Sequence, residues 1–384
     1  TETVSVVSHS LVVTGVAGGT TDVVVDGNIY RLAVTDNSVI ITGGSSTTHQ
    51  TVKNPDGSTT TTVTNKRTGA VTATTKYPDG TVAVVETKKD GSVSASEKRP
   101  DGTQGATTVS AGGVFKAEAT LSQKAVEAAA EAGGAIPLPI MTVQAGTGAG
   151  AAPEIKVSLP KADSAVTVEV PAENATPGTV LLLVKEDGGE ALLKTTALTE
   201  NGVAVALEGS ATLKVADNTK SFADTAAVQG WAGDAIAFVT ARELFGGVGG
   251  DRFAPVENMN RAMLVTVLAR LDGQDTDGGE TWYAKSVAWS VEQGISDGTN
   301  MEDAVSREQL VTILYRYAGS PALAEAELNG YTDADQVSGW ARSAMQWAVE
   351  QGILTGKSGN LLDPAATATR AEVSAILMRF INQI

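Results

Sequence analysis

Three arginines carry the clearest chemistry in this chain. Arg261, Arg307 and Arg370 each stand one residue after a helix-capping candidate: Asn260, Ser306 and Thr369. This places three cations at the positive ends of helix macrodipoles, where a positive charge is disfavoured by about 0.3–1 kcal/mol. All three are Arg and none is Lys. A planar guanidinium takes a carboxylate through two parallel hydrogen bonds, which a Lys ammonium cannot do. The pattern therefore calls for a carboxylate, either internal, such as Asp224 or Asp333 of a neighbouring segment, or on a ligand; both readings stand. Capping explains the residues around the arginines but not the arginines themselves. Ser306-x-x-Gln309 and Thr369-x-x-Glu372 read as capping boxes, whereas Asn260 can cap but Met263 cannot return the bond.

Other chemistry has little material. Cys is absent, and His9 and His49 are the only histidines, so a thiol nucleophile, a disulfide framework and a His-based triad or metal site are not expected. Acids are plentiful, but none falls in a recognisable catalytic spacing, which leaves a hydrolase a poor reading. The expectation is a protein that is not an enzyme and uses no catalytic residue, metal or cofactor. Gly356-Lys357-Ser358-Gly359 lacks the spacing of a phosphate loop. Asp275-x-Asp277 and the stretch from Asp297 to Asp303 lack the full ligand set of a calcium loop. The net charge is −16 and no segment is basic, which argues against nucleic acid and anionic membrane surfaces. No run of about 18 apolar residues is present, so membrane insertion is not expected. The chain starts at Thr1 without a signal-like segment and reads as a processed or trimmed fragment.

The elements that must hold these arginines are unevenly distributed. A chain of 384 residues implies two or three domains. Of its aromatics, only Tyr30, Tyr77 and Phe115 precede residue 219, so a dense core belongs to the C-terminal part. Residues 1–110 read as extended antiparallel β-sheet repeats. Val-rich strands (Val4–Val7, Leu11–Val13, Val23–Val25, Val39–Ile41) are broken at Gly15, Asp26-Gly27 and Asp36-Asn37. Turn glycines then follow at 57, 69, 80, 91 and 102, every second one in Pro-Asp-Gly, as an antiparallel meander requires. The strands between them hold Thr, Val, Ala, Ser and Lys, which predicts a thin sheet solvated on both faces, with edges that could pair with another chain. Residues 111–153 read as a short helix at 122–132, capped by Ser122, and a Gly/Ala/Pro-rich connector. Residues 154–218 read as six short strands of a small β-sandwich-like domain, beginning with Ile155–Leu159.

From Ser221 the periodicity is helical and repeats three times. The copies align through Trp231, Trp282 and Trp340, through Gly294-Ile295 and Gly352-Ile353, through Pro255 and Pro364, and through the capped Arg motif. Trp to Arg is 30 residues in the first and third copies and 25 in the second. These residues resemble the S-layer homology domain in three tandem copies, about 221–272, 273–320 and 330–384, within 219–384. Residues 154–218 resemble, more weakly, a β-module that precedes such domains in secreted Gram-positive surface proteins.

The resemblance implies an all-α, pseudo-threefold helical bundle at the C-terminus of a multidomain, otherwise all-β chain. It implies an extracellular, wall-attached surface protein whose partner is cell-wall polysaccharide, often pyruvate-bearing, held in grooves between copies. Carried over position by position, Arg261, Arg307 and Arg370 are the polysaccharide-binding arginines and Trp231, Trp282 and Trp340 the groove tryptophans. Asn260, Ser306, Gln309, Thr369 and Glu372 are the capping residues of the motif. Only the third copy keeps Thr-Arg-Ala-Glu intact, and the second has Gly273 near the opening aromatic position, so the grooves of Arg370 and Arg307 are expected to bind before that of Arg261. An acidic sugar suits this chemistry: Arg takes the carboxylate, Trp covers the C–H face, and no proton transfer is needed. The alternative function is a self-assembling surface-layer or adhesin subunit that polymerises through the β-rich half. Trp289 and Trp347, in mid-helix positions aligned with Phe238, are expected in the core.

Overall fold

The computed structural model describes residues 47–140, 154–322 and 328–383, together with the backbone of five strands before them. Those strands are β1 (Thr3–Val7) paired with β2 (Ser10–Thr14), and an antiparallel sheet of β3 (Gly19–Val25), β4 (Asn28–Thr35) and β5 (Ser38–Thr42). The predicted breaks at Gly15, Asp26-Gly27 and Asp36-Asn37, and most of the connector (141–153), lie outside the described residues. The chain divides into two compact units, one of Thr1–Gly133 with Leu138–Ala162, the other of Gly134–Pro137 with Asp163–Ile384.

In the first unit the turn spacing becomes a meander. It runs through β6 (Thr47–Lys53), β7 (Thr59–Asn65), β8 (Val71–Lys76), β9 (Val82–Thr87), β10 (Val93–Lys98), β11 (Gln104–Val109) and β12 (Phe115–Thr120), each antiparallel to the next. All five predicted turn glycines adopt φ between 74° and 94°, a region that residues with a Cβ rarely adopt. The Asp before the glycine in four of these turns closes its loop: Asp56, Asp79, Asp90 and Asp101 accept backbone N–H bonds from Ser58, Thr81, Ser92 and Thr103. Ser122 caps α1 (Gln123–Ala132) by accepting from Ala125 N–H.

One face of this sheet is not solvated as its small side chains predict. Ala83, Ala95, Ala117, Ala119 and Thr107 are buried on β9–β12, while β6 is exposed along nearly its whole length. Backbone lies directly on the sheet there: a Cβ at Gly105 would stand 1.9 Å from the Pro139 carbonyl oxygen. Small residues thus allow close approach, and burial needs no bulk. Gly105→Ala must push that segment off, and is expected to cost about 1–3 kcal/mol, read as a lower urea midpoint of the full chain.

Chain order continues with β13 (Ile136–Pro137), β14 (Glu154–Ser158), β15 (Val166–Pro171), β16 (Thr179–Val184), β17 (Glu190–Leu193), β18 (Ala197–Leu198), β19 (Gly202–Leu207) and β20 (Ala211–Asp217). The Ile155–Leu159 strand, read from sequence as the start of the small β-domain, is β14, and it pairs in parallel with β12 in the first unit. In the second unit β13, β15, β19 and β18 form one sheet in that order, and β16 lies between β17 and β20. Val168, Val170, Val180, Leu181, Val203 and Leu213 are fully buried within these strands.

Among the described residues, six α-helices complete the second unit: α2 (Gln229–Ala241), α3 (Arg261–Leu271), α4 (Ala284–Glu292), α5 (Arg307–Tyr317), α6 (Arg342–Glu350) and α7 (Arg370–Ile381). α2 packs on α7, α3 on α4 and α5 on α6, so the second helix of each sequence copy meets the first helix of another. Their shared core holds Phe238, Phe253, Met259, Leu264, Leu268, Leu310, Leu314 and Leu377. Trp347 is buried in it and Trp289 packs partly buried against it. The three segments before the Arg helices interlock through a closed ring of backbone bonds. Met259 N–H donates to Ala368 O (3.0 Å), Ala368 N–H to Val305 O (3.0 Å) and Val305 N–H to Met259 O (2.8 Å).

Candidate functional site

The ring of backbone bonds places the three capped arginines in related settings. Ser306 and Thr369 each accept from the third backbone N–H of their helix, and Gln309 and Glu372 return the bond to the cap. Asn260 accepts from Met263 N–H, with no return. Each Arg then reaches toward a loop of another copy, and there the three part ways.

Arg370 and Arg307 are buried and spent on main chain. Arg370 donates from Nε to Phe253 O (2.7 Å) and from Nη2 to Gly246 O (2.8 Å), with its guanidinium 4.6 Å from the Phe253 ring centroid. Arg307 donates from Nε to Leu362 O (2.8 Å) and from Nη2 to Thr355 O (3.3 Å). Neither takes Asp224 or Asp333 as its hydrogen-bond partner. Asp224 accepts instead from Phe253 and Ala254 N–H, and Asp333 from Leu362 and Asp363 N–H. The Phe253 N–H bond holds the Asp224 carboxyl below its ordinary range. Each loop is therefore gripped from both sides: an Asp takes its N–H groups, and an Arg takes its carbonyls. Burial pulls both guanidinium groups below their ordinary value, and nearby acids (Glu372 first for Arg307, Glu257 first for Arg370) oppose that pull.

The Arg261 side chain makes no such bonds to loop carbonyls, because the loop it faces is shorter. Gly246 to Arg261 and Thr355 to Arg370 are 15 residues each, but Asp297, which like Gly246 and Thr355 lies two past a buried Leu or Ile, is only 10 residues before Arg307. Thr299 stands eight residues before its Arg, as Phe253 and Leu362 do, so the five missing residues fall between Asp297 and Thr299, in the stretch that separates Gly246 from Phe253 and Thr355 from Leu362 in the other copies. Arg261 Nη2 pairs at 2.6 Å with the exposed Asp297 carboxylate, and its Nε is buried with no hydrogen-bond partner. The Asp297 carboxyl is held below its ordinary range chiefly by Thr299 N–H. Beside this pair a cavity of about 260 Å³ opens, lined by Arg261, Asp297, Gln309, Thr312, Ile313, Arg316 and Trp340.

The three predicted groove tryptophans lie at the starts of the first helices with large faces in solvent: Trp231 is 56%, Trp282 52% and Trp340 58% exposed. Such exposure separates them from core residues such as Trp347. Trp340 lines the cavity with Arg261; the structure does not bring Trp231 or Trp282 into that cavity. Sequence reasoning weighed Asp297 only as part of a calcium-loop candidate and did not single out Arg316 as a groove residue; the signal for this groove was the 25-residue spacing of the second copy, and Arg242 had none.

Two stretches of the chain, 221–262 and 330–374, match the model of the S-layer homology domain. Among curated proteins the chain is similar to the exoglucanase XynX of Acetivibrio thermocellus, at 27% identity over 40% of this chain and 16% of that protein. It is similar to the surface-layer 125 kDa protein of Lysinibacillus sphaericus, at 25% identity over 47% of this chain and 16% of that protein. It is also similar to a cellulosome-anchoring protein of Acetivibrio thermocellus, at 25% identity over 36% of this chain and 35% of that protein. The chain thus spans about a third or less of the length of these relatives. S-layer homology segments and relatives of this kind mark a secreted, cell-surface protein associated with the cell wall.

Proposed function

We propose that residues 219–384 are three S-layer homology repeats in a pseudo-threefold bundle that attaches the chain to the cell wall, without catalysis, by binding wall polysaccharide. The working groove is that of Arg261, and the ligand is a glycan bearing a carboxylate, such as a pyruvate ketal. One observation carries the assignment. Arg261 alone of the three motif arginines keeps a buried, unpartnered N–H, and it does so beside an exposed tryptophan in an open cavity. A buried donor without a partner costs about 1–3 kcal/mol, and it leaves the Arg261 guanidinium less committed to the protein than those of Arg307 and Arg370. The sequence order that favoured Arg370 and Arg307 is therefore reversed in this proposal, because backbone carbonyls already saturate much of those two guanidinium groups.

The domain around the groove carries 21 acids against 12 bases, so attraction over long range is weak and recognition is local. The test is co-sedimentation of the full chain with purified wall sacculi. Arg261→Ala is expected to lower retention at least tenfold, roughly the worth of a charge-assisted hydrogen bond, at unchanged melting temperature. Equal retention on sacculi stripped of polysaccharide would overturn the ligand assignment.

A further inference from the structure

The third residue of each Arg helix differs between copies: Met263 in α3, Gln309 in α5 and Glu372 in α7. In α7 the Glu372 carboxylate caps Thr369 N–H through Oε2 at 2.9 Å, while Oε1 lies 3.2 Å from Lys357 Nζ and 4.0 Å from Arg307 Nη1. An acid of the protein itself therefore already faces the cations there. In α5 Gln309 performs the same capping, its Oε1 accepting from Ser306 N–H at 3.0 Å. With the oxygen spent on the cap, Nε2, a donor with two N–H groups, is the part of this cavity-lining side chain not used by the cap. Among the side chains lining the cavity, Arg261 and Arg316 are cationic and Asp297 is anionic, which leaves one net positive charge. A Glu at 309 would cancel it.

We infer that Gln309 is the specificity-determining residue of this groove, making it select an acidic sugar over the same sugar with its acid neutralised; this rests on the glycan-binding role proposed above. The amide keeps the helix cap intact while adding donors beside Arg261, where the glutamate of the intact motif would add a competing negative charge. Selectivity and fold are thereby separated at one side chain, because Gln309 and Glu372 both complete capping boxes in this chain, and at position 309 a Glu would add a charge to the cavity.

The experiment titrates the full chain by calorimetry with two probes, a methyl glycoside bearing a pyruvate ketal and its carboxamide counterpart. The native chain is expected to prefer the acid by at least tenfold. Gln309→Glu is expected to bring the two probes to within about twofold, from like-charge repulsion at short range, with the melting temperature retained. If Gln309→Glu folds and keeps the native ratio, the inference fails and the groove assignment survives. If the native chain binds neither probe, or both equally, the acidic-glycan reading fails, and the inference with it.

Discussion

Arg370→Ala is expected to lower the stability of the second unit by about 3–4 kcal/mol, with little else to explain any loss of wall attachment. The side chain is buried, and its two short bonds end on main-chain carbonyls of Phe253 and Gly246. Hydrogen bonds to a charged donor are worth about 1.5–3 kcal/mol, and each buried carbonyl left bare adds a desolvation cost. The guanidinium also lies over the Phe253 and Phe245 rings, so truncation removes packing as well as charge. In a unit of this size that loss corresponds to roughly 10 °C in melting temperature. Arg370→Lys should recover little of it, since a single ammonium on a flexible stem cannot span two carbonyls in a fixed fork. Arg307→Ala follows the same logic with the Leu362 and Thr355 carbonyls. Differential scanning calorimetry of the three Arg→Ala variants separates the roles. Large shifts at 307 and 370 with none at 261 support this assignment; an unchanged melting temperature for Arg370→Ala with lost sedimentation would reverse it.

The placement of these arginines resolves the tension noted from sequence. A cation at a helix start is disfavoured, and a carboxylate was expected to compensate it, internal or external. Arg261 does take an internal carboxylate, Asp297, whereas the hydrogen bonds of Arg307 and Arg370 go to peptide groups: Asp224 accepts from Ala254 N–H, Arg370 donates to Phe253 O, and those two groups belong to one peptide plane. Sequence patterns report which side chains are charged, but say nothing of which carbonyls will face them. That is why the caps and turns were readable. Ser306, Thr369, Gly57 and Gly80 are local devices, each satisfied within a few residues of itself. The burial of Ala83 and Ala117 was not readable, because it comes from a backbone segment arriving over the sheet near Pro139. The groove lies between these cases. The shortened spacing from Trp282 to Arg307 was visible, but its effect falls on Arg261 of another copy, and only the packing of one copy's helix start on another's loop connects them.

Arg242→Met is expected to cost about 3–4 kcal/mol and to uncouple the strands of the second unit from its helices. Arg242 follows the last residue of α2 and is fully buried, yet it has no carboxylate among its hydrogen-bond partners. Nε donates to Thr196 O at 2.8 Å, Nη1 to Pro177 O at 3.1 Å and to Phe238 O at 3.3 Å, and Nη2 to Thr179 O at 3.4 Å. The guanidinium lies 3.5 Å from the Phe238 ring centroid. Three of those carbonyls belong to the strand region and the fourth to α2, so one side chain ties two kinds of structure together. Its position also suits the charge: a cation at a helix C-terminus is stabilised by the dipole that opposes Arg261, Arg307 and Arg370 at their helix starts. Met nearly preserves the volume, so the measured loss reports hydrogen bonding more than a cavity. With the tie intact, strands and helices should melt in one calorimetric transition. In Arg242→Met the β-sheet and helix signals should separate by circular dichroism, with the strands melting first because they lack the aromatic core of the helices. A single coincident transition at the native temperature would show that apolar contact between α2 and β16 suffices without the buried charge.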